Sequence, residues 1–348
     1  MIFVYFSGNG KCAAKGSRRP EPLDVVKTAQ KALAKFEKIW YNKSVSHSCG
    51  KTESEEIHMS EAIKGTMISY RPDIKVLDAT IRDGGLVNNF AFTDDFVRKL
   101  YLTNVRAGVD VMEIGYLADP ELFDESKFGK WKFCHEDAIR AVLGDILDPS
   151  LQLAVMADVG RANVARDLPD KKDSILDMVR IATYINTIPA AIEMIEICAK
   201  KGYHTTVNIM AVSKAQESEL SEALEMLGKS SVEVIYLVDS YGSLYPLQMR
   251  QLAERYLAAA EKYGKQIGIH AHNNQQLAFA NTTECAMMGV SYLDATMASM
   301  GRGAGNCAME LLLGFLKNPK YDIKPVLRFL QDEMQKLKND GVVWGYDI

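Results

Sequence analysis

The six cysteines, Cys12, Cys49, Cys134, Cys198, Cys285 and Cys307, are scattered along 348 residues, and no two form a Cys-x-x-Cys pair. Such spacing excludes a zinc knuckle and a disulfide framework, and it predicts reduced thiols in a cytoplasmic protein. No apolar run approaches the roughly 18 residues of a membrane span. The opening Met1-Ile2-Phe3-Val4-Tyr5-Phe6 is apolar, but it is shorter than a signal h-region and no basic residues precede it. There is also no basic block, and the net charge is −4, which sets nucleic acid aside as a partner. Finally, no Gly-x-Gly-x-x-Gly follows the first strand-like run, so a doubly wound dinucleotide fold loses its usual support.

The remainder is an ordinary globular composition, 47% hydrophobic and 25% charged, with enough chain for one barrel-sized domain. Residues 1–70 stand apart from it. Segment 7–22 is rich in Gly, Lys, Arg and Pro, and 42–56 is polar; between them, 23–40 has apolar residues at helical spacing. This region reads as a flexible N-terminal extension without chemistry of its own, followed by one domain over 71–348. From Asp73 onward, apolar runs recur at 74–79, 109–114, 151–157, 178–182, 205–210, 232–238, 267–271 and 291–297. Helix-like stretches at 93–107, 189–201, 218–227, 246–263 and 275–288 separate them, and 325–337 reads as a last helix. Eight strands alternating with helices predict a (β/α)8 TIM barrel, and continuous apolar strands suit a parallel sheet covered on both faces.

Chemistry in such a barrel belongs at the C-terminal strand ends. The seventh run closes on Ile267-Gly268-Ile269-His270-Ala271-His272, and residues two apart on a strand face the same side. Two converging imidazoles make half a metal site. Asp83, after the first run, is the carboxylate expected to complete it, with Asn306 as a further oxygen ligand. Arg82 suits a substrate carboxylate or a developing enolate. The other strand ends offer Glu113 and Tyr116, Asp158, Asn208 and Lys214, and Asp239. After the eighth, residues 301–305 form a Gly-rich stretch that could cradle an anion, with Asn306 expected at a helix start and Glu310 a turn further on.

Taken together, Leu77-Asp78-Ala79-Thr80-Ile81-Arg82-Asp83-Gly84-Gly85, His270-Ala271-His272-Asn273 and Gly303-Ala304-Gly305-Asn306 resemble the DRE-TIM metallolyase superfamily. The likeness runs from about residue 74 to the C-terminus. It is closest to the 4-hydroxy-2-oxovalerate aldolase branch, where a Trp-Gly-Tyr-Asp-Ile segment like that at 344–348 also occurs. The resemblance implies a divalent ion (Mn, Mg, Co or Zn) on Asp83, His270 and His272, with Asn306 as fourth ligand. It implies Arg82 as the group that stabilises an enolate. Of the strand-end residues, Glu113 and Tyr116 are expected as catalytic groups and Asn208, Lys214 and Asp239 as substrate-binding groups. The substrate implied is a small 2-oxo or hydroxy acid such as a precursor of pyruvate.

Two departures accompany the likeness. Leu86 stands where that branch carries a histidine base, and Glu113, Tyr116, His135 and Lys214 are the candidates to replace it. The chain also stops at Ile348, without the helical domain that docks an aldehyde dehydrogenase, so that partner is not expected, while a homodimer stays open. A Claisen-type acyl-CoA condensing synthase and a metal-binding barrel without turnover are the alternatives. An amidohydrolase is set aside because its His-x-His lies on the first strand, not the seventh.

Overall fold

The computed structural model describes residues 71–346; the extension and helix expected within 1–70 lie outside the described residues. Eight strands close into a parallel barrel in sequence order. They are β1 Lys75–Asp78, β2 Val111–Tyr116, β3 Gln152–Asp158, β4 Met178–Tyr184, β5 His204–Met210, β6 Val234–Asp239, β7 Gln266–Ala271 and β8 Tyr292–Ala295. β8 returns to pair with β1 from Lys75↔Tyr292 to Asp78↔Ala295. Each expected run overlaps one strand. The helices are α1 Thr80–Asn88, α2 Asp94–Ala107, α3 Glu136–Leu143, α4 Val164–Asp167, α5 Ile188–Lys200, α6 Glu217–Lys229, α7 Pro246–Tyr263, α8 Ala278–Met288, α9 Met309–Phe315, α10 Ile323–Phe329 and α11 Gln335–Asn339.

Strand periodicity divides the core. Val76, Met112, Val179 and Leu293 face outward into the large layer packed under the helices. Leu77, Val111, Ala154 and Met178, with Val234, Tyr236 and Val238 opposite, fill the barrel interior. Two residues further along β2, β4 and β8 from Val111, Met178 and Tyr292, the same inward direction is taken by Glu113, Arg180 and Asp294, each buried. The interior is therefore apolar at the bottom and charged halfway up. Gly268 on β7 has a steric reason: a Cβ there would run into the Tyr236 ring.

Two local features carry the site into the barrel mouth. The sequence assigns no element to 80–92, yet α1 begins directly after β1, because buried Asp78 accepts hydrogen bonds from the Thr80 backbone N–H (2.9 Å) and from its hydroxyl. Its first turn then presents Arg82 and Asp83 inward, both buried. At the far end, the expected helix over 325–337 starts earlier, at Ile323, and passes through a π turn at Leu330–Met334 before α11. The tail then folds back: Trp344 Nε1–H donates to the Ala298 carbonyl (2.9 Å), and the Gly345 N–H donates to Gly303 (3.3 Å).

Candidate metal centre and active-site cavity

His270 lies on β7 and His272 just beyond it, on the same face, with ring centroids 5.1 Å apart. Asp83 reaches them from α1. One ligand atom from each of Asp83, His270 and His272 lies within 4.8 Å of the others. His270 Nδ1 sits 3.0 Å from Asp294 Oδ2, and Nε2 faces Asp83 Oδ2 at 3.6 Å. When Asp294 accepts the Nδ1 proton, the Nε2 lone pair is left pointing at Asp83, the orientation a metal-ligating imidazole needs.

Asn306 arrives by an isolated antiparallel bridge to His272, and its amide nitrogen donates to Asp83 Oδ2. Gly301 leaves the room for this, since a Cβ there would press on both Asn306 and Asp83. Asn306 Oδ1 and His270 Nε2 are buried without a hydrogen-bond partner. Two orphaned ligand atoms beside a carboxylate are costly in a dry site and fit a divalent cation. Turning the Asn306 amide by half a turn would place its oxygen where its nitrogen lies.

The electrostatics agree. Burial works against ionisation of Asp83, but Arg82, His272 and His270 outweigh it and hold the carboxyl far below the usual range. Burial also draws His272 down to about 4, which keeps its imidazole neutral near pH 7. For His270 burial pulls the same way, yet the carboxylates of Asp294, which accepts from Nδ1, and of Asp83, which faces Nε2, outweigh it and raise the pKa.

Beside this centre, Arg82 is held by Glu113 Oε2 (Nε, 2.7 Å) and Asp83 Oδ1 (Nη1, 3.2 Å), while its Nη2 has no partner. Glu113 Oε2 also accepts from Arg180 Nη1 (2.8 Å), and Arg180 Nη2 donates to Asp294 Oδ2 (2.6 Å). Arg82, Glu113, Arg180, Asp294 and His270 thus form one chain of ion pairs and hydrogen bonds beneath the centre.

Above it opens a cavity of about 560 Å³, walled by Arg82, Asp83, Tyr116, Asn208, His270 and His272 among others. Asn208 lines the cavity with both amide atoms buried and unpartnered. Lys214 and Asp239 differ from the expectation. Neither belongs to the cavity wall. Lys214 is exposed, its Nζ 5.7 Å from the Tyr241 ring, and Asp239 accepts backbone N–H groups of Ser243 (3.2 Å) and Leu244 (3.1 Å), so it shapes the loop after β6.

Of the four groups offered in place of the missing histidine, only Tyr116 lines the cavity. Glu113 is engaged below, and His135 is exposed against Glu125 at 2.7 Å. Part of the Gly-rich stretch 301–305, expected as an anion cradle, is already engaged within the protein. The N–H groups of Ala304, Gly305 and Asn306 are taken by Asn274 Oδ1, Arg302 O and Ser299 O, and the next helix starts only at Met309.

The sequence reading missed Lys132, Arg161, Arg180 and Asp294. A charged residue inside an apolar strand run was the available signal for Arg180 and Asp294. Nothing marked Lys132 or Arg161.

The family model described as HMGL-like matches residues 73–331. The chain belongs to the HMGL-like family. Among its relatives, an oxaloacetate decarboxylase of Mycobacterium tuberculosis is 28% identical over 242 residues, covering 70% of this chain and 69% of that one. A 4-hydroxy-2-oxovalerate aldolase of Pelotomaculum thermopropionicum is 25% identical over 285 residues, covering 79% and 82%. Among solved structures, the N-terminal domain of a Bacteroides vulgatus protein described as an aldolase superposes with TM-score 0.64 at 25% identity, covering 79% of this chain and 90% of that one. The Bacillus subtilis HMG-CoA lyase gives 0.60 at 16%, covering 77% and 95%, a likeness of fold. This HMGL-like protein is a metal-dependent carbon–carbon lyase, and no helix among its described residues is long and apolar enough to cross a membrane.

Proposed function

We propose that the protein cleaves or forms the carbon–carbon bond between the α- and β-carbons of a small 2-oxo acid, counted from its keto group, by way of an enolate, as a 4-hydroxy-2-oxovalerate aldolase does. One observation carries the reading: Arg82 Nη2, buried and without a partner, lies in the same cavity as the converging Asp83, His270 and His272. A divalent ion (manganese, magnesium, cobalt or zinc) held by those three residues and Asn306 would supply Lewis acidity toward the keto oxygen of the substrate.

The chain's own groups do the rest. Breaking the bond leaves an electron pair that moves onto the former keto oxygen, and the free N–H of Arg82 is the donor for that charge. Glu113 fixes the guanidinium in advance, so little reorganisation is needed as charge develops. Asn208 offers both a donor and an acceptor to the bound acid. Burial holds the Tyr116 phenol above its ordinary range despite the pull of Arg82, so it stays protonated and can donate. Asp158, at the end of β3, has Oδ1 buried and unpartnered, and burial raises its pKa against the pull of Lys132. It is the cavity carboxylate open to accept a proton where Leu86 cannot.

The manganese-loaded protein should be assayed on 4-hydroxy-2-oxo acids, on oxaloacetate, and on acyl-CoA with a 2-oxo acid. Release of pyruvate from either of the first two supports the reading. Consumption of acyl-CoA alone would replace it with a Claisen condensation. Metal and 2-oxo acid bound with no conversion of any substrate would make the protein a binding barrel.

A further inference from the structure

Lys132 ends a short turn, Lys130–Lys132, in the loop after β2, and lines the cavity half-buried. Its Nζ lies 4.5 Å from the ring centroid of Tyr116, 4.7 Å from Phe123, 5.1 Å from Phe90 and 5.8 Å from Phe128. Four aromatic faces around one ammonium favour its charged form and hold it in place. They supply no hydrogen-bond acceptor of ordinary strength. Among the described residues, no carboxylate lies within 4.0 Å of this nitrogen, and the same holds for the cavity residues Arg161 and Arg302. A half-buried lysine normally finds an acid, because an uncompensated charge away from water is expensive.

The charge count of the wall points the same way. Arg82, Lys132, Arg161 and Arg302 are its cationic side chains, against the carboxylates Asp83 and Asp158. Asp83 is committed to Arg82 and to the histidines. Burial lowers the Lys132 pKa; Asp158 attracts the ammonium and Arg161 repels it, so it stands between a single carboxylate and a second cation. A divalent ion at the centre would add positive charge. A monoanionic 2-oxo acid would leave this wall with cations unanswered.

We infer that the cavity takes a 2-oxo acid bearing a second anionic group, a dicarboxylate or its equivalent, whose far end is received by Lys132 with Arg161 beside it. This rests on the proposed function, since it places the 2-oxo end of the same molecule at Asp83, His270 and His272. The Lys132 ammonium donates to the distal carboxylate, and the aromatic rings keep water from competing for that bond. Arg161, exposed at the rim, adds long-range attraction.

Matched ligands that differ only in the terminal carboxylate test the assignment. Binding of 2-oxoglutarate against 2-oxopentanoate, and of 2-oxoadipate against 2-oxohexanoate, is measured by calorimetry on the manganese-loaded full chain. Neither dicarboxylate has a carboxyl group β to its ketone, so decarboxylation does not disturb the measurement. The dianion of at least one pair should bind about 10- to 100-fold more tightly, the range of a charge-assisted hydrogen bond. Lys132→Met, which keeps the apolar stem, should remove most of that preference and leave the monoanion within about twofold. Arg161→Gln, at an exposed position, should lower it by a few-fold and weaken its salt dependence. Equal binding within both pairs, or a preference that survives both substitutions, overturns the inference while leaving the 2-oxo acid reading intact. If neither monoanion nor dianion binds the metal-loaded chain, both fall together.

Discussion

The barrel interior and the cavity above it both hold buried charge, and they treat it in opposite ways. In the interior, Glu113, Arg180 and Asp294 are shared along a chain of ion pairs that ends on Arg82 and His270. In the cavity, Lys132, Arg161 and Arg302 have no carboxylate within ion-pair distance among the described residues, and one oxygen of Asp158 has no partner. Charges that answer one another fix geometry. Charges left unanswered beside a cavity are set for something that enters it. The two layers lie on the same strands, Glu113 and Tyr116 on β2, Arg180 and Tyr184 on β4, so the sheet itself separates scaffold from binding wall.

The sharpest break in this comparison comes at the centre where the layers meet. His270→Ala combined with His272→Ala should reduce bound divalent metal from about one per chain to none by elemental analysis, and turnover with it. Circular dichroism should show the barrel intact, because an open catalytic site costs affinity more than fold. Full metal content in the double variant would reject the ligand assignment.

Next in size is Arg180→Met. It leaves Glu113 and Asp294 buried with one cationic partner fewer, which should cost about 3–5 kcal/mol in denaturant unfolding. A loss below about 1 kcal/mol would mean the interior pairs are not what orders this layer.

Arg82→Ala should fall mainly on kcat, by around 100- to 1000-fold, with metal retained, because its free N–H matters most when charge has built up. Arg82→Lys should restore little, since an ammonium cannot hold Glu113 and Asp83 while still offering a planar donor. Turnover within a few-fold of wild type in both variants would remove the enolate role.

Asp78 sharpens the comparison from a third position. It is as buried as Asp294, but its partners, Thr80 and Asn104, are neutral. Burial therefore raises it to about 6, whereas Asp294, also opposed by burial, is lowered by Arg180 and His270. The folded protein binds the Asp78 proton more tightly than the unfolded chain, whose pKa is near 3.8. Its ionisation thus costs stability at neutral pH, and that cost is relieved as pH falls from about 6 toward 3.8. The full cost is about 3 kcal/mol for a shift of this size. Asp78→Asn should flatten this part of the stability–pH curve, with Asn104 turning its unpartnered Oδ1 toward the new amide. A curve unchanged over pH 4–6 would count against a neutralised Asp78.

Much of this was legible in the sequence, for reasons specific to each part. Parallel strands covered on both faces read as unbroken apolar runs, so all eight could be placed. Pro246 marked the start of α7 because its ring suits the first helical turn. His270 and His272 were legible because a period of two is enough to place them on one face.

What was not legible depends on distance along the chain. Arg180 meets Glu113 and Asp294 across 67 and 114 residues, and no local pattern records such pairing. Gly84 and Gly85 argue against a helix by propensity, yet both lie inside α1, because Met300 and Phe90 pack where their side chains would be. The cage around Lys132 is assembled from four separate points in the chain. Lys214, four residues past β5, and Asp239, the last residue of β6, read as cavity groups and lie outside the cavity wall.

The hydrogen bond between Asn306 and Asp83 spans 223 residues, from the first βα unit to the loop after the last strand. At the roughly 5–20 residues per second of synthesis, one half of the centre waits about 10–45 s for the other to be made. Until residues 270–272 are made Asp83 lacks both histidines, and until residues 292–295 are made β1 has no β8 to pair with. The four groups Asp83, His270, His272 and Asn306 are therefore together only once the chain has passed the last strand. A chain released before residue 270 would carry most of the strands but neither histidine, so metal content measured on newly made chains should report the seventh strand's completion separately from secondary structure.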